Sequence, residues 1–393
     1  MLVGPLAGTR VVEVASFIGG PYAAMLLADL GAEVVKVELP GTGDPFRQWS
    51  ERQGRLLPQV AAYNRGKKSV SINVQTESGR DLFRRLAATA DVVVENFRPG
   101  TLDRLGIGYE ALRKSNPKLV YCAISGMGSS GPYRDRPTYD AIAQAMSGLW
   151  SQFTDPSDPQ PIGPPLADQL TGMYAAYGVL AALAAQRAGG AGQKVEVSML
   201  SSCIAFLTAP VSDYLMTGEI GHQFSRARRS QSYAFVASDG LPFAVHLSSP
   251  PKFWERLTQV AGRPELVDDP RFKQGADRIK NYQALHEELS KVFRTRAREE
   301  WLTLLEQHDV PSAPIYNVAE TLADPQVRHI GMVKAFGQGE RALDLVGSAA
   351  SFSENSDETG LPPPNVGEHN GEIFGALGYT DEELERMRGE GAI

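Results

Sequence analysis

The chain has 393 residues, which at ~150 residues per domain is material for roughly two to three domains and a core large enough to hold without disulfides. Apolar residues make up 42%, charged residues 22% and aromatic residues 8%, which excludes disorder, collagen and coiled coil as descriptions of the whole chain. The formal charge of −7 (39 Lys plus Arg against 46 Asp plus Glu) disfavours a generic nucleic-acid or anionic-membrane surface, so an anionic ligand must be held by a few specific groups.

Cys122 and Cys203 lie in apolar runs with no metal-ligand spacing, and the six histidines form no HxxxH or HxH pair. Buried reduced thiols and no metal are expected. The N-terminus lacks a basic stretch ahead of a long apolar run, and the most apolar helix candidate, YAAYGVLAALAA (174–185), is too short to span a bilayer. The expectation is a cytoplasmic protein with no membrane and no nucleic-acid partner.

From Thr9 to Glu38, TRVVEVA, GGPYAAMLLADLGAE and EVVKVE read as strand, helix opened by Pro21, and strand, the pattern of a βαβ unit. KSVSINV (68–74), ESGRDLFRRLAATA (77–90), DVVVENF (91–97), YEALRKSNP and LVYCAISG (119–126) continue the alternation. Their near-continuous Val/Ile runs predict strands of a parallel sheet covered on both faces. TYDAIAQAMSGLW predicts a helix, SQFTDPSDPQPIGPPLA a Pro-rich loop, and DQLTGMYAAYGVLAALAAQRAGG a long helix ended by glycine, followed by a strand and helix in VEVSMLSSCIAFLTAPVSDYL. Between 225 and 315 the texture shifts to two short strands around Asp239-Gly240 and polar helices such as FWERLTQVAG, QALHEELSKVF and REEWLTLLEQHD, which predicts a small α+β domain. Residues 1–220 and 316–393 are then expected to build one large domain from both chain ends.

Glu38 ends the second strand about 20 residues after Gly19, where dinucleotide folds place a ribose-binding acid. The turn SFIGGPYAA is not GxGxxG, however, and Pro21 removes an N–H that a pyrophosphate would need, so a tight turn and a solvated Glu38 is the favoured reading over a nicotinamide site. Asp168 directly precedes an apolar helix and reads first as its N-cap, although a pinned carboxylate kept ionised by a helix terminus also suits a nucleophile. Asn96, Arg98 and Arg104 in ENFRPGTLDRLGIGYEAL fall at a strand's carboxyl end, where open α/β sheets bind ligands. RGKKS (65–69) reads as a solvated edge or a phosphate contact.

Together VVEVASFIGGPYAAMLLADLGAEVVKVELPGTGDPFR, NRGKKSVSINV, ADVVVENFRPGTLDRLGIGYEAL, SGMGSSGPYRDRPTYDAIAQAMSG, ADQLTGMYAAYGVLAAL and GQKVEVSML resemble the class III coenzyme A-transferase (CaiB/BaiF) family, with the likeness resuming in VPSAPIYNVAETLADPQV and LGYTDEELE. The resemblance implies an α/β fold with a Rossmann-like large domain from both termini, a smaller central α+β domain, and a homodimer whose subunits interlock like rings. It implies Asp168 as the nucleophile. Coenzyme contacts are implied at Ile18, Gly19, Leu39, Ile72, Asn73, Val74, Gln75, Asn96, Phe97, Arg98, Arg104 and Tyr139. No tightly bound cofactor is implied, with coenzyme A as a co-substrate. A family glutamine is replaced by Ile18, the histidine of oxalate-type members by Ser16, and a GGGG loop is missing, which argues against a formate/oxalate specificity.

The implied reaction passes coenzyme A from an acyl-CoA donor, succinyl-CoA-like, to a small dicarboxylic or hydroxy acid through acylated Asp168. Arg47, Arg226, Arg228 and Arg229 are candidate anchors for the acceptor's carboxylate. Racemases of the same family use a histidine base where this chain has Tyr139, a poor base at neutral pH with its ordinary pKa near ~10. A catalytically silent CoA-binding protein is the remaining alternative.

Overall fold

The structure, a computed structural model, describes residues 4–49, 57–248, 251–354 and 360–393. The chain forms two compact units, one of Met1–Trp150, Pro161–Ser212 and Gly331–Ile393, the other of Ser151–Gln160 and Asp213–Ile330.

In the first unit the Val-rich runs become strands β1 (Arg10–Val14), β2 (Glu33–Glu38), β3 (Lys67–Ser71), β4 (Val92–Glu95), β5 (Val120–Ser125) and β6 (Lys194–Ser198). They form one parallel sheet in the order β3-β2-β1-β4-β5-β6. Strands apolar on both sides need cover on both faces, and two separate cores supply it. Val12, Val35, Val70 and Val93 face Leu82, Phe83 and Leu86 of one core; Val11, Val34, Val92 and Cys122 face Ala23, Leu27, Ala175 and Val179 of the other. The helices that concern the site are α1 (Gly19–Asp29), α2 (Pro58–Asn64), α3 (Glu77–Ala88), α4 (Thr101–Arg104), α5 (Tyr109–Leu112), α6 (Asp140–Met146), α7 (Leu166–Arg187) and α8 (Met199–Phe206). No single helix among the described residues is long and apolar enough to cross a membrane.

Residues from the far end of the chain cover the edge strand β3. Both backbone groups of Ser69 bind His369, its N–H donating to the imidazole Nδ1 at 3.1 Å and its carbonyl accepting the His369 N–H at 2.9 Å, while the Ser71 N–H donates to Asn370 Oδ1 at 2.8 Å. An edge so occupied offers no row of free N–H groups to another strand.

The second unit is an antiparallel sheet of β7 (Ser232–Val236), β8 (Pro242–His246) and β9 (Ser312–Pro314). Gly240, at φ +78°, turns β7 into β8, and Asp239 Oδ1 accepts the Leu241 N–H at 3.1 Å. Helices Pro251–Val260, Tyr282–Phe293 and Arg298–Gln307 bury Trp254, Phe293 and Trp301 against Phe235 and Phe243.

Candidate active site

In this strand order the connections out of β1 and β4 diverge, and the crevice beyond the carboxyl ends of that strand pair is where open parallel sheets bind ligands. A side-chain amide bridges the two strand ends. Asn96 Oδ1 accepts the Ser16 N–H at 2.9 Å and Asn96 Nδ2 donates to the Ser16 carbonyl at 2.7 Å. The next residue, Phe17, sits at φ +63°, a conformation that costs a bulky residue roughly 1–2 kcal/mol. Asp44 offsets that strain: its Oδ1 accepts the N–H of Phe17 at 3.1 Å and of Phe46 at 2.9 Å.

Asp44 is itself held by buried charges. Lys36, with no exposed surface, contacts Asp44 Oδ2 at 2.9 Å and Glu13 Oε1 at 2.7 Å, and Lys67, equally enclosed, reaches Glu13 Oε2 at 2.6 Å and the carbonyl of Pro21 at 2.8 Å. Burial favours a neutral Lys67 and lowers it to about 8, Glu13 resisting the shift. Glu38 is buried and forked to Arg47 at 2.6 and 2.8 Å; burial opposes its charge, yet Arg47 and Lys36 prevail and hold it at about 2. These contacts correct three expectations: Glu38 is not solvated, Lys67 of RGKKS is not at a solvated edge, and Arg47 is committed to Glu38 rather than left for a substrate. Arg229, another expected anchor, pairs with Asp213 within the second unit.

Helix α1 begins at Gly19, two residues before Pro21, because Pro21 takes the third helical position and loses no hydrogen bond there. It packs on α7 at unusually short range. A Cβ on Gly172 would stand 2.8 Å from Tyr22 Cδ1 and 2.9 Å from the Gly19 carbonyl, so glycine alone fits; one on Gly19 would stand 3.6 Å from Asp168 Oδ1. This approach brings the start of α1 against the first turn of α7.

Asp168 is not the N-cap of α7. The helix starts at Leu166 after Pro165, which has no capping side chain, and Asp168 is the third helical residue. The cap comes from α6 instead: Asp140 Oδ1 accepts the N–H of Ala167 at 2.9 Å and of Asp168 at 3.2 Å, and its other oxygen is bound by Gln144. Burial in the half-enclosed site pushes Asp168 up, and the like charge of Asp140 adds to it, to about 7. The expectation that the helix terminus keeps this carboxylate fully ionised is thereby corrected, since desolvation and a neighbouring anion outweigh the favourable end of the helix.

Asp168 lies in a cleft of about 790 Å³. Of the residues singled out from the sequence, Ile18, Gly19, Asn96, Phe97, Arg98 and Tyr139 line it with Asp168. Leu39, Ile72, Asn73, Val74, Gln75 and Arg104 do not. Ile72 and Val74 are core residues, Asn73 is tied through its N–H to Ala392 and through Nδ2 to Gly391, and Arg104 donates to Thr101 Oγ1. Asn96 lines the cleft with its amide already engaged on both ends by Ser16. Beside Tyr139 stands an aromatic wall that the sequence does not single out: Phe17 meets Tyr139 and Trp49 edge-on at 5.9 and 6.5 Å, and Tyr63, which accepts from Gln169 Nε2 at 3.2 Å, completes it. Asp140 carries no signal of its own in the sequence, lying within the segment TYDAIAQAMSGLW that predicts the helix. Among the described residues, no three His, Cys, Asp or Glu side chains are placed to hold a metal ion.

Residues 6–370 match the family model described as CoA-transferase family III. The chain belongs to CoA-transferase family III. Among its relatives, the human succinyl-CoA:glutarate CoA-transferase is 33% identical over all of this chain and 90% of its own length. The succinyl-CoA–D-citramalate CoA-transferase of Chloroflexus aurantiacus is 34% identical over 99% of this chain and 98% of its own. A CaiB/BaiF family protein from Brucella suis has a crystal structure that superposes with a TM-score of 0.86 at 33% identity, covering 95% of this chain and 100% of that one. As a family III CoA-transferase, the protein uses coenzyme A as a co-substrate, and the cleft at the β1/β4 switch point is its candidate active site.

Proposed function

We propose that the protein transfers coenzyme A from an acyl-CoA donor to a carboxylic acid by way of a covalent intermediate on Asp168. The observation that carries this reading is the placement of an acid with a pKa of about 7 in the first turn of α7, facing a large cleft and capped from another helix. A carboxylate of raised basicity is a better nucleophile than an ordinary one and is still substantially ionised at neutral pH. Asp168 attacks the thioester carbonyl, giving a mixed anhydride and free CoA thiolate. The thiolate attacks the aspartyl carbonyl, releasing the donor acid and leaving an aspartyl-CoA thioester. The acceptor carboxylate then attacks that thioester, and the thiolate freed in this step takes the acceptor's acyl group from the resulting anhydride, regenerating Asp168. Water must be kept from both anhydrides, a task that suits the wall of Phe17, Trp49, Tyr63 and Tyr139.

Ile18, Gly19, Asn96, Phe97, Arg98 and Tyr139 are assigned to the thioester end of the coenzyme, and Leu39, Ile72 to Gln75 and Arg104 to its more distant nucleotide portion. Asn96 contributes through its backbone and its packing. The activities for which the relatives are named favour a succinyl-CoA-like donor and a small dicarboxylic or hydroxy acid as acceptor. The functional state is an interlocked homodimer in the cytoplasm. Exposed Tyr177, Leu215, Met216 and Ile220 are apolar groups that such an association would cover.

The test is trapping. Incubation with succinyl-CoA and hydroxylamine is expected to convert Asp168 to its hydroxamate, identified by peptide mass; an unmodified Asp168 under conditions where transfer proceeds overturns the mechanism.

A further inference from the structure

We propose that Asp140 is a positioning residue that caps the helix carrying Asp168 and uses its own charge to set the pH at which Asp168 becomes a nucleophile. The proposal rests on the reading of Asp168 as the acylated residue and adds to it a group that, beside burial, tunes its reactivity.

The geometry is specific. Helix α7 opens with Pro165 and Leu166, neither of which has a side chain able to accept a hydrogen bond, so its first N–H groups need an outside acceptor. Asp140 Oδ1 takes two of them, from Ala167 and Asp168 itself. The second carboxylate oxygen is fixed by Gln144, a fully buried residue one turn along α6. The cap is therefore rigid, and it joins α6 to the backbone of the nucleophile. A neutral acceptor would satisfy the same N–H groups; the negative charge strengthens the cap and also acts on whatever lies beside it. Its neighbour along the site is the Asp168 carboxylate, where a nearby anion favours the protonated form.

Other titratable groups facing Asp168 do not compete for this role. Tyr63 from α2 and Cys203 from α8 are both raised by burial from values already above neutrality, so they stay uncharged near pH 7. Helix α1 presents Gly19 there, and the cations of the cleft, Arg98, Arg134 and Arg136, come from the loops after β4 and β5. Asp140 is itself raised by burial, against the pull of the two N–H groups and Gln144.

The test compares the full-length protein with Asp140→Asn, which keeps a carbonyl oxygen for the cap but removes the charge, and Asp140→Glu, which keeps the charge. Two readouts are used: the rate at which a water-soluble carbodiimide and an amine label Asp168 as a function of pH, normalised to exposed carboxylates, and the pH profile of kcat/KM for succinyl-CoA. In Asp140→Asn both curves are expected to move to lower pH by roughly one unit, while Asp140→Glu stays near the native curve. An Asp168 labelling curve that does not move in Asp140→Asn overturns the proposal. If Asp140→Asn fails to fold, Asp140→Ser supplies a charge-free hydroxyl cap under the same criteria. A labelling curve that shifts in a protein whose Asp168 is never acylated sustains the Asp140 linkage and overturns the functional reading instead, so the two failures are distinguishable.

Discussion

Asn96 satisfies both backbone groups of Ser16, accepting from its N–H at 2.9 Å and donating to its carbonyl at 2.7 Å, and so fastens the end of β4 to the turn that opens the active-site cleft. The amide presents a donor and an acceptor side by side, matching the two backbone groups of one residue. Replacement by aspartate keeps the size but turns a second acceptor toward the Ser16 carbonyl. Asn96→Asp is expected to lower stability by about 1–3 kcal/mol in urea unfolding and to reduce kcat/KM, whereas Asn96→Ala loses stability without that repulsion.

Asp168→Asn is expected to abolish acyl transfer and hydroxamate formation while leaving a folded protein that binds CoA in calorimetry. Turnover near the native level would remove Asp168 from its assigned place.

The same carboxyl makes a stability prediction whose sign follows from its pKa. With a folded value of about 7 against about 4 in the unfolded chain, the acid form is favoured by folding, so its contribution is fully present below pH 4 and is lost as pH rises through 7. Asp168→Asn removes the cost of the buried charge. It is expected to raise stability by about 2 kcal/mol at pH 8, after allowance for solvent screening of a half-buried group, and by little at pH 4. Tm measured at both pH values checks the difference.

Close contact between α1 and α7 yields a steric prediction. Gly172→Ala places a methyl group 2.8 Å from Tyr22 and 2.9 Å from a carbonyl oxygen in α1, forcing the helices apart; a loss of about 1–3 kcal/mol and a marked drop in kcat are expected. Gly19→Ala meets Asp168 only at ordinary contact distance and should fold normally while impairing turnover, which thermal unfolding beside steady-state kinetics will separate.

Beneath the cleft, Lys36→Met leaves Glu13 and Asp44 without their shared cation. A destabilisation of about 3–5 kcal/mol is expected, measured by denaturant unfolding, because Asp44 is left as a buried anion with no cation while Glu13 keeps only Lys67.

Much of the parallel sheet was legible because Val-rich runs at βαβ spacing permit few other arrangements, and the strand bounds fall within a few residues of the apolar runs. What escaped involves residues whose partners are far away in sequence. Glu13, Lys36 and Lys67 are single charges in or beside Val-rich runs, with nothing local to pair them; only the order β3-β2-β1 brings them side by side in the interior. Asp168 was legible as a pinned acid before an apolar helix, but its cap was not, because Asp140 approaches from another helix 28 residues earlier in the chain. The Pro164-Pro165 pair was the available signal that α7 starts before Asp168, since proline belongs at or just outside a helix's first turn.

The covering of β3 by His369 and Asn370 carries a consequence for biosynthesis. Residues 67–71 leave the ribosome about 300 residues ahead of the segment that shields them. Until residues 369 and 370 have been made, β3 lacks this cover, and its open margin is the place where mispairing between chains would begin.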